Sequence, residues 1–117
     1  MSELHVIARC KIHEGKLESF REAAAACLQS VRDKDTGTQQ YDWYLNQDQT
    51  EAIVLEKYND SAAVLEHIEN MGEIFGALLG TCALSLEIFG DPSPELQEAA
   101  ATLPSQVYAQ FQGGTTG

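Results

Sequence analysis

Three polar side chains in the stretch EKYNDSAAVLEH, residues 56–67, carry the strongest chemical signal in the chain: Glu56, Tyr58 and His67. A histidine near a carboxylate can act as a general base close to neutral pH. A carboxylate among apolar groups is costly unless it is hydrogen-bonded or protonated, so it needs a partner or a task. Glu56 and Tyr58 are two apart at the end of a strand-like run and share one face of it. The competing reading makes His67 an ordinary corner residue bonded to a backbone carbonyl. His5 and His13 are weaker candidates, one on an outward strand face and the other in a turn. No Ser-His-Asp, H-E-x-x-H, P-loop or G-x-G-x-x-G pattern occurs.

These residues need a scaffold, and the periodicity of the chain supplies one. LHVIARCKI, residues 4–12, alternates as a strand, with Leu4, Val6, Ala8, Cys10 and Ile12 on one face. Leu17, Phe20, Ala24, Cys27, Leu28 and Val31 then recur at helical spacing, and this helix should end before Gly37. Residues 39–46 and 52–58 read as two strands joined by the polar link QDQTE, a hairpin. Asn59-Asp60-Ser61 caps a second helix with Val64, Ile68, Met71, Phe75 and Leu78 as its apolar stripe, broken near Gly72 and resumed to about Leu79. On a wheel of about 100° per residue, His67 falls roughly 60° from the centre of that stripe, on its flank. Residues 82–90 form a fourth strand. A short helix from Ser93 to about Thr102 and a strand at 107–111 complete the chain before a GGTTG tail.

The order β-α-β-β-α-β is the ferredoxin-like, split βαβ arrangement: an α+β fold with an antiparallel sheet and both helices on one face. It implies one such domain over residues 1–91 and a C-terminal extension over 92–117. Leu4/Val6/Ala8/Cys10, Tyr41/Trp43/Leu45, Val54/Glu56/Tyr58 and Leu84/Leu86/Ile88 are the faces expected to meet the helices. The opposite face carries Ile7, Tyr44, Ile53, Leu55 and Phe89 among charged residues, too much apolar surface to leave in water. A homodimer through this sheet face is expected, with Arg9 or Lys11 pairing with Glu87 or Asp42.

Composition narrows the function classes. With 117 residues and 44% apolar content the chain is one globular domain, able to bury a core without disulfides or metal. Its net charge of −11 argues against nucleic acid or an anionic membrane as partner. All seven basic residues lie at or before Lys57, while eight acids follow Tyr58, so ion pairs of the second half must reach back to the first half or to another subunit. Cys10, Cys27 and Cys82 are odd in number and widely spaced, which points to core packing rather than a metal or redox site. No run approaches the roughly 18 apolar residues of a membrane span, and no leader pattern opens the chain, so a cytoplasmic location is expected.

The chain resembles the antibiotic biosynthesis monooxygenase domain, in particular the quinol-monooxygenase-like branch of the dimeric α/β-barrel superfamily. The resemblance covers about residues 4–90 and rests on VIARCKIHEGKLESF, on DTGTQQYDWY and above all on LEKYNDSAAVLEH, where Glu56, Tyr58, Ala63 and His67 match the family's pattern in order. It implies a homodimer with a pocket between sheet and helices in each subunit. Some members of the family oxidise quinols or aromatic polyketides with molecular oxygen and neither metal nor flavin. The chain departs from the pattern at Tyr58, where Trp is commoner, and at Asp35-Thr36, where Glu-Pro is usual. Met71 and Gly72 stand where a second His often follows, and Ala8 where haem-degrading relatives carry Asn.

The expectation is therefore a cofactor-independent monooxygenase of a small aromatic substrate. His67, assisted by Glu56, would take a phenolic proton, and Tyr58, the third member of the catalytic set, would help to hold the ring. Trp43, Tyr41, Ala8, Val54 and Phe75 would bind the ring. The alternatives are a non-oxidative isomerase of a small metabolite and a non-catalytic small-molecule-binding dimer on the same scaffold.

Overall fold

The computed structural model describes residues 3–116. Its elements are β1 (Leu4–Ile12), α1 (Leu17–Lys34), β2 (Thr38–Leu45), β3 (Glu51–Tyr58), α2 (Ser61–Met71), α3 (Glu73–Leu79), β4 (Cys82–Phe89), α4 (Pro94–Ala100) and β5 (Ser105–Tyr108). The strands form one sheet in the order β2-β3-β1-β4-β5. The first four pair antiparallel, and β5 joins β4 in parallel. This is the ferredoxin-like α+β fold that the alternation and helical periods imply.

Local chemistry sets the joints that matter for the site. Asp60 caps α2, its side chain accepting from the Ala63 amide at 2.9 Å. The second helix does break at Gly72, whose φ of +49° ends α2 at the residue where α3 begins. Gly37, between α1 and β2, lies so close to α2 that a Cβ there would stand 2.6 Å from the Ala63 Cβ. The bare backbone lets this loop rest on the helix, and the Gly37 carbonyl accepts from the Asn59 amide at 2.9 Å.

The core has two parts. One packs Ala8, Cys10 and Val54 of the sheet against Phe20, Cys27 and Leu78. The other packs Leu4, Val6, Tyr58 and Ile88 against Ala63 and Val64 of α2 and Leu96 and Ala100 of α4. The extension is thus anchored: Leu96 is 1% exposed, a burial worth roughly 1.5–3 kcal/mol. The three cysteines are free and buried, and burial pushes the Cys27 thiol up to about 11, as suits packing groups.

Three details differ from the sequence reading. Leu45, expected to meet the helices, is 39% exposed at the end of the edge strand β2, beyond the reach of the core. The last strand begins at Ser105 and ends at Tyr108, earlier than the VYAQF run suggests, because its ladder partner β4 stops at Phe89. Arg9 and Glu87, expected to pair across a dimer, bond to each other within the chain at 3.3 Å on neighbouring strands. The outward face still presents Tyr44 at 54% exposure, with Ile7, Ile53 and Leu55 half-buried. Phe89 on this sheet stacks on Tyr108 at 5.3 Å.

Candidate active site

The strand alternation turns Glu56 and Tyr58 inward. Glu56 lies opposite Val6 on one side and Tyr41 on the other, near the middle of the sheet. The Tyr58 hydroxyl donates to Glu56 Oε1 at 2.5 Å. Burial raises the Glu56 carboxyl to about 7, although the bond from Tyr58 works the other way. Burial, with the Glu56 charge adding to it, pushes the Tyr58 hydroxyl well up, so it keeps its proton and acts as donor.

His67 turns inward as well and is only 6% exposed. Its partner is not Glu56. His67 Nδ1 lies 2.9 Å from Oδ2 of Asp35, the residue that caps the C-terminus of α1. The same carboxylate accepts from Thr38 Oγ1 at 2.6 Å and from Asn70 Nδ2 at 2.9 Å. Burial alone would raise Asp35, but the bonds from Asn70, Thr38 and His67 outweigh it and hold the carboxyl below the usual range. Asp35 is thus ionised. Burial lowers the His67 pKa, with the Asp35 bond and charge opposing, so the imidazole is neutral near pH 7. A neutral ring facing an ionised carboxylate through Nδ1 carries its proton there and leaves the Nε2 lone pair free.

His67 and Glu56 both face one cavity of about 110 Å3 between the sheet and the helices. Tyr41, Trp43, Ala8, Val54 and Phe75 line it too, together with Met71, Leu84 and Leu86. The C-terminal extension forms another side of the wall through Leu96, Ala99, Ala100, Thr102 and Leu103. The cavity is on the small side for a substrate pocket and is predominantly apolar. Among the described residues no group of three or more His, Cys, Asp or Glu side chains is arranged to hold a metal ion.

Of the residues expected to act on or bind the substrate, Tyr58 alone is not in the cavity wall, and the weaker candidates His5 and His13 are not there either. Tyr58 is wholly buried behind Glu56, with its ring 5.5 Å from that of His67. Asp35, Thr38 and Asn70 escaped sequence reasoning. Asn70 follows His67 by three residues, a spacing that places both on one side of a helix. Asp35 stood out only as a departure from a family pattern. The extension's part in the cavity gave no sequence signal beyond the apolar spacing of Leu96, Ala100 and Leu103.

Fold and cavity together define a ferredoxin-like α+β protein with an inward acid–base cluster in an apolar chamber. The chain belongs to the antibiotic biosynthesis monooxygenase family, whose model matches residues 4–71. It is similar in structure to MupZ from Pseudomonas fluorescens, with a TM-score of 0.85, 19% identity, and coverage of 99% of this chain and 96% of that one. Rv0793 from Mycobacterium tuberculosis gives a TM-score of 0.68 at 21% identity, covering 79% of this chain and 97% of that one. SnoaB from Streptomyces nogalater, a cofactor-independent oxygenase, gives 0.67 at 14% identity, with 80% and 96% covered. No curated protein sequence matches the chain.

Proposed function

We propose that this protein is a cofactor-independent monooxygenase acting on a small, largely apolar aromatic substrate, quinol- or polyketide-like, and that it works as a homodimer joined through the outward sheet face. The free Nε2 of His67, held by Asp35 in an apolar cavity, carries the reading. His67 takes a proton from the substrate, and the ionised Asp35 balances the imidazolium that forms. The substrate anion is electron-rich. It gives one electron to oxygen, and the radical and superoxide combine into a peroxide on carbon. At a CH2 group, protonation and loss of water leave a ketone, so one oxygen atom stays in the product and the other leaves as water. Family membership supports this reading, as does the likeness to a structure described as a cofactor-independent oxygenase. Oxygen uptake with a panel of hydroquinones and anthrones tests it. Turnover is expected in the native chain and absent in His67→Ala; equal rates in the two would overturn it.

A second reading has its own support. Glu56, with its pKa raised to about 7 by burial, is about half protonated at neutrality and faces the same cavity as the base. An acid and a base around one substrate suit a non-oxidative proton transfer, as in an isomerase. Its mark is solvent-deuterium incorporation into a ketone probe without oxygen consumption. Ligand-dependent thermal stabilisation with neither reaction would instead mark a binding protein.

A further inference from the structure

Ile68 belongs to the apolar stripe of α2, yet it is 40% exposed while Val64 and Met71 of the same stripe are buried. It lines the chamber all the same, as does the half-buried Phe75 of α3. The other helix-side lining residues that reach water are Ala99, Thr102 and Leu103, at the end of α4 and in the turn that leaves it. The sheet residues of the wall are buried except Trp43, which also borders a second groove against α1, and Leu86. Leu86 is tied to the turn after α4, its amide donating to the Pro104 carbonyl at 2.9 Å. That turn is no loose flap. The Leu103 amide donates to the Ala100 carbonyl at 3.0 Å, and Ser105 Oγ donates to the same carbonyl at 3.1 Å. Together these bonds pin the backbone around Leu103.

We propose that the chamber opens between Ile68 on α2 and Leu103 in the turn after α4, and that these two side chains set the breadth of the molecule that enters. This rests on the chamber being the substrate site and adds the determinant of its selectivity. Ile68 is held by a helix and Leu103 by its bonded turn, so side-chain volume rather than backbone movement sets the gap between them. In an apolar site a single methylene changes discrimination by roughly 10- to 200-fold, so a small change at either lip alters which ring widths pass. The C-terminal extension supplies one of the two lips and thereby fixes the size limit.

Two neutral probes of different breadth test it, 2-naphthol and N-phenyl-1-naphthylamine, with oxygen excluded so that no turnover intervenes. Association is followed by stopped flow through the emission of Trp43, the single tryptophan, which lines the chamber. The native chain should admit 2-naphthol faster than the broader probe. Leu103→Ala and Ile68→Ala should each speed entry of the broader probe about tenfold, and Leu103→Phe and Ile68→Phe should slow it by a like factor. The exposed position of Ile68 guards against a folding defect in the Leu103 variants. Val107→Phe, on β5 and outside the chamber wall, and Ala25→Phe, in the α1 groove, should leave both rates native. No response at one lip or at both, an equal response at Val107, or entry slowed by Ala25→Phe instead overturns the inference and leaves the chamber as the site. Failure of both probes to bind the native chain and Leu103→Ala overturns the reading of the chamber itself.

Discussion

Asp35 Oδ2 and His67 Nδ1 meet at 2.9 Å although they are 32 residues apart, one at the end of α1 and the other inside α2. The pair assigns the tautomer of the histidine and so decides which nitrogen serves the cavity. Asp35→Asn should keep the fold but hold the ring less well and no longer balance the imidazolium. A fall in kcat of about 10²- to 10⁴-fold, with a smaller change in KM, is expected in the oxygen-uptake assay. An unchanged kcat would remove Asp35 from the mechanism.

The lowered His67 pKa bears on the pH profile. The base should stay active somewhat below pH 6.5, with kcat falling only as the pH drops through the lowered value. If Glu56 must also give a proton, the rate should fall again above about pH 7. A plateau favours oxygenation by the base alone, and a bell shape favours the acid–base reading.

Glu56 also makes stability depend on pH. Its folded pKa of about 7 lies above the ordinary value of 4.5, so the folded state holds the proton more tightly. That contribution is complete below pH 4.5 and is lost as the pH rises through about 7. His67 and Asp35 run the other way: their folded values are lowered, so their contributions are present above the ordinary values of 6.5 and 3.8 and are lost as the pH falls below them. Urea midpoints against pH should show Glu56→Gln gaining on the native chain above pH 7, by on the order of 3 kcal/mol at full ionisation. Parallel curves for the two proteins would refute the assignment.

Gly37→Ala tests the loop that delivers Asp35. The added methyl would meet the Ala63 Cβ at 2.6 Å, and the loop must lift from α2. A loss of roughly 1–3 kcal/mol is expected, with a drop in activity resembling that of Asp35→Asn. Gly37→Ala combined with Ala63→Gly should recover part of both. Full activity in the single variant would show that the close approach is dispensable.

Leu55→Asp addresses the outward sheet face. Light scattering at micromolar concentration should give a dimer mass for the native chain and a monomer mass for the variant. A monomer mass for the native chain would remove the dimer.

Much of the scaffold was legible because one face of each strand is buried. The alternation of Val54, Glu56 and Tyr58 assigned the inward carboxylate, and the helical stripe put His67 at its border. The wheel could not show how far His67 turns, since that depends on the carboxylate that receives it. Asp35 was hidden for the same reason: it follows the last turn of α1, where no period applies, and the path of the chain past Gly37 decides what it meets. Ile68 was readable as a member of the apolar stripe, but its exposure is a property of the assembled surroundings.

The placement of α4 and β5 has a consequence for synthesis. The chamber needs Leu96, Ala99 and Leu103, which come into place as α4 packs on α2 and the sheet and β5 pairs with β4. A nascent chain therefore cannot complete the chamber until α4 and β5 have followed β4 out of the ribosome, even when β1 to β4 have already paired. Until then His67 and Glu56 border an open cleft, and the chamber closes only after the four antiparallel strands are in place.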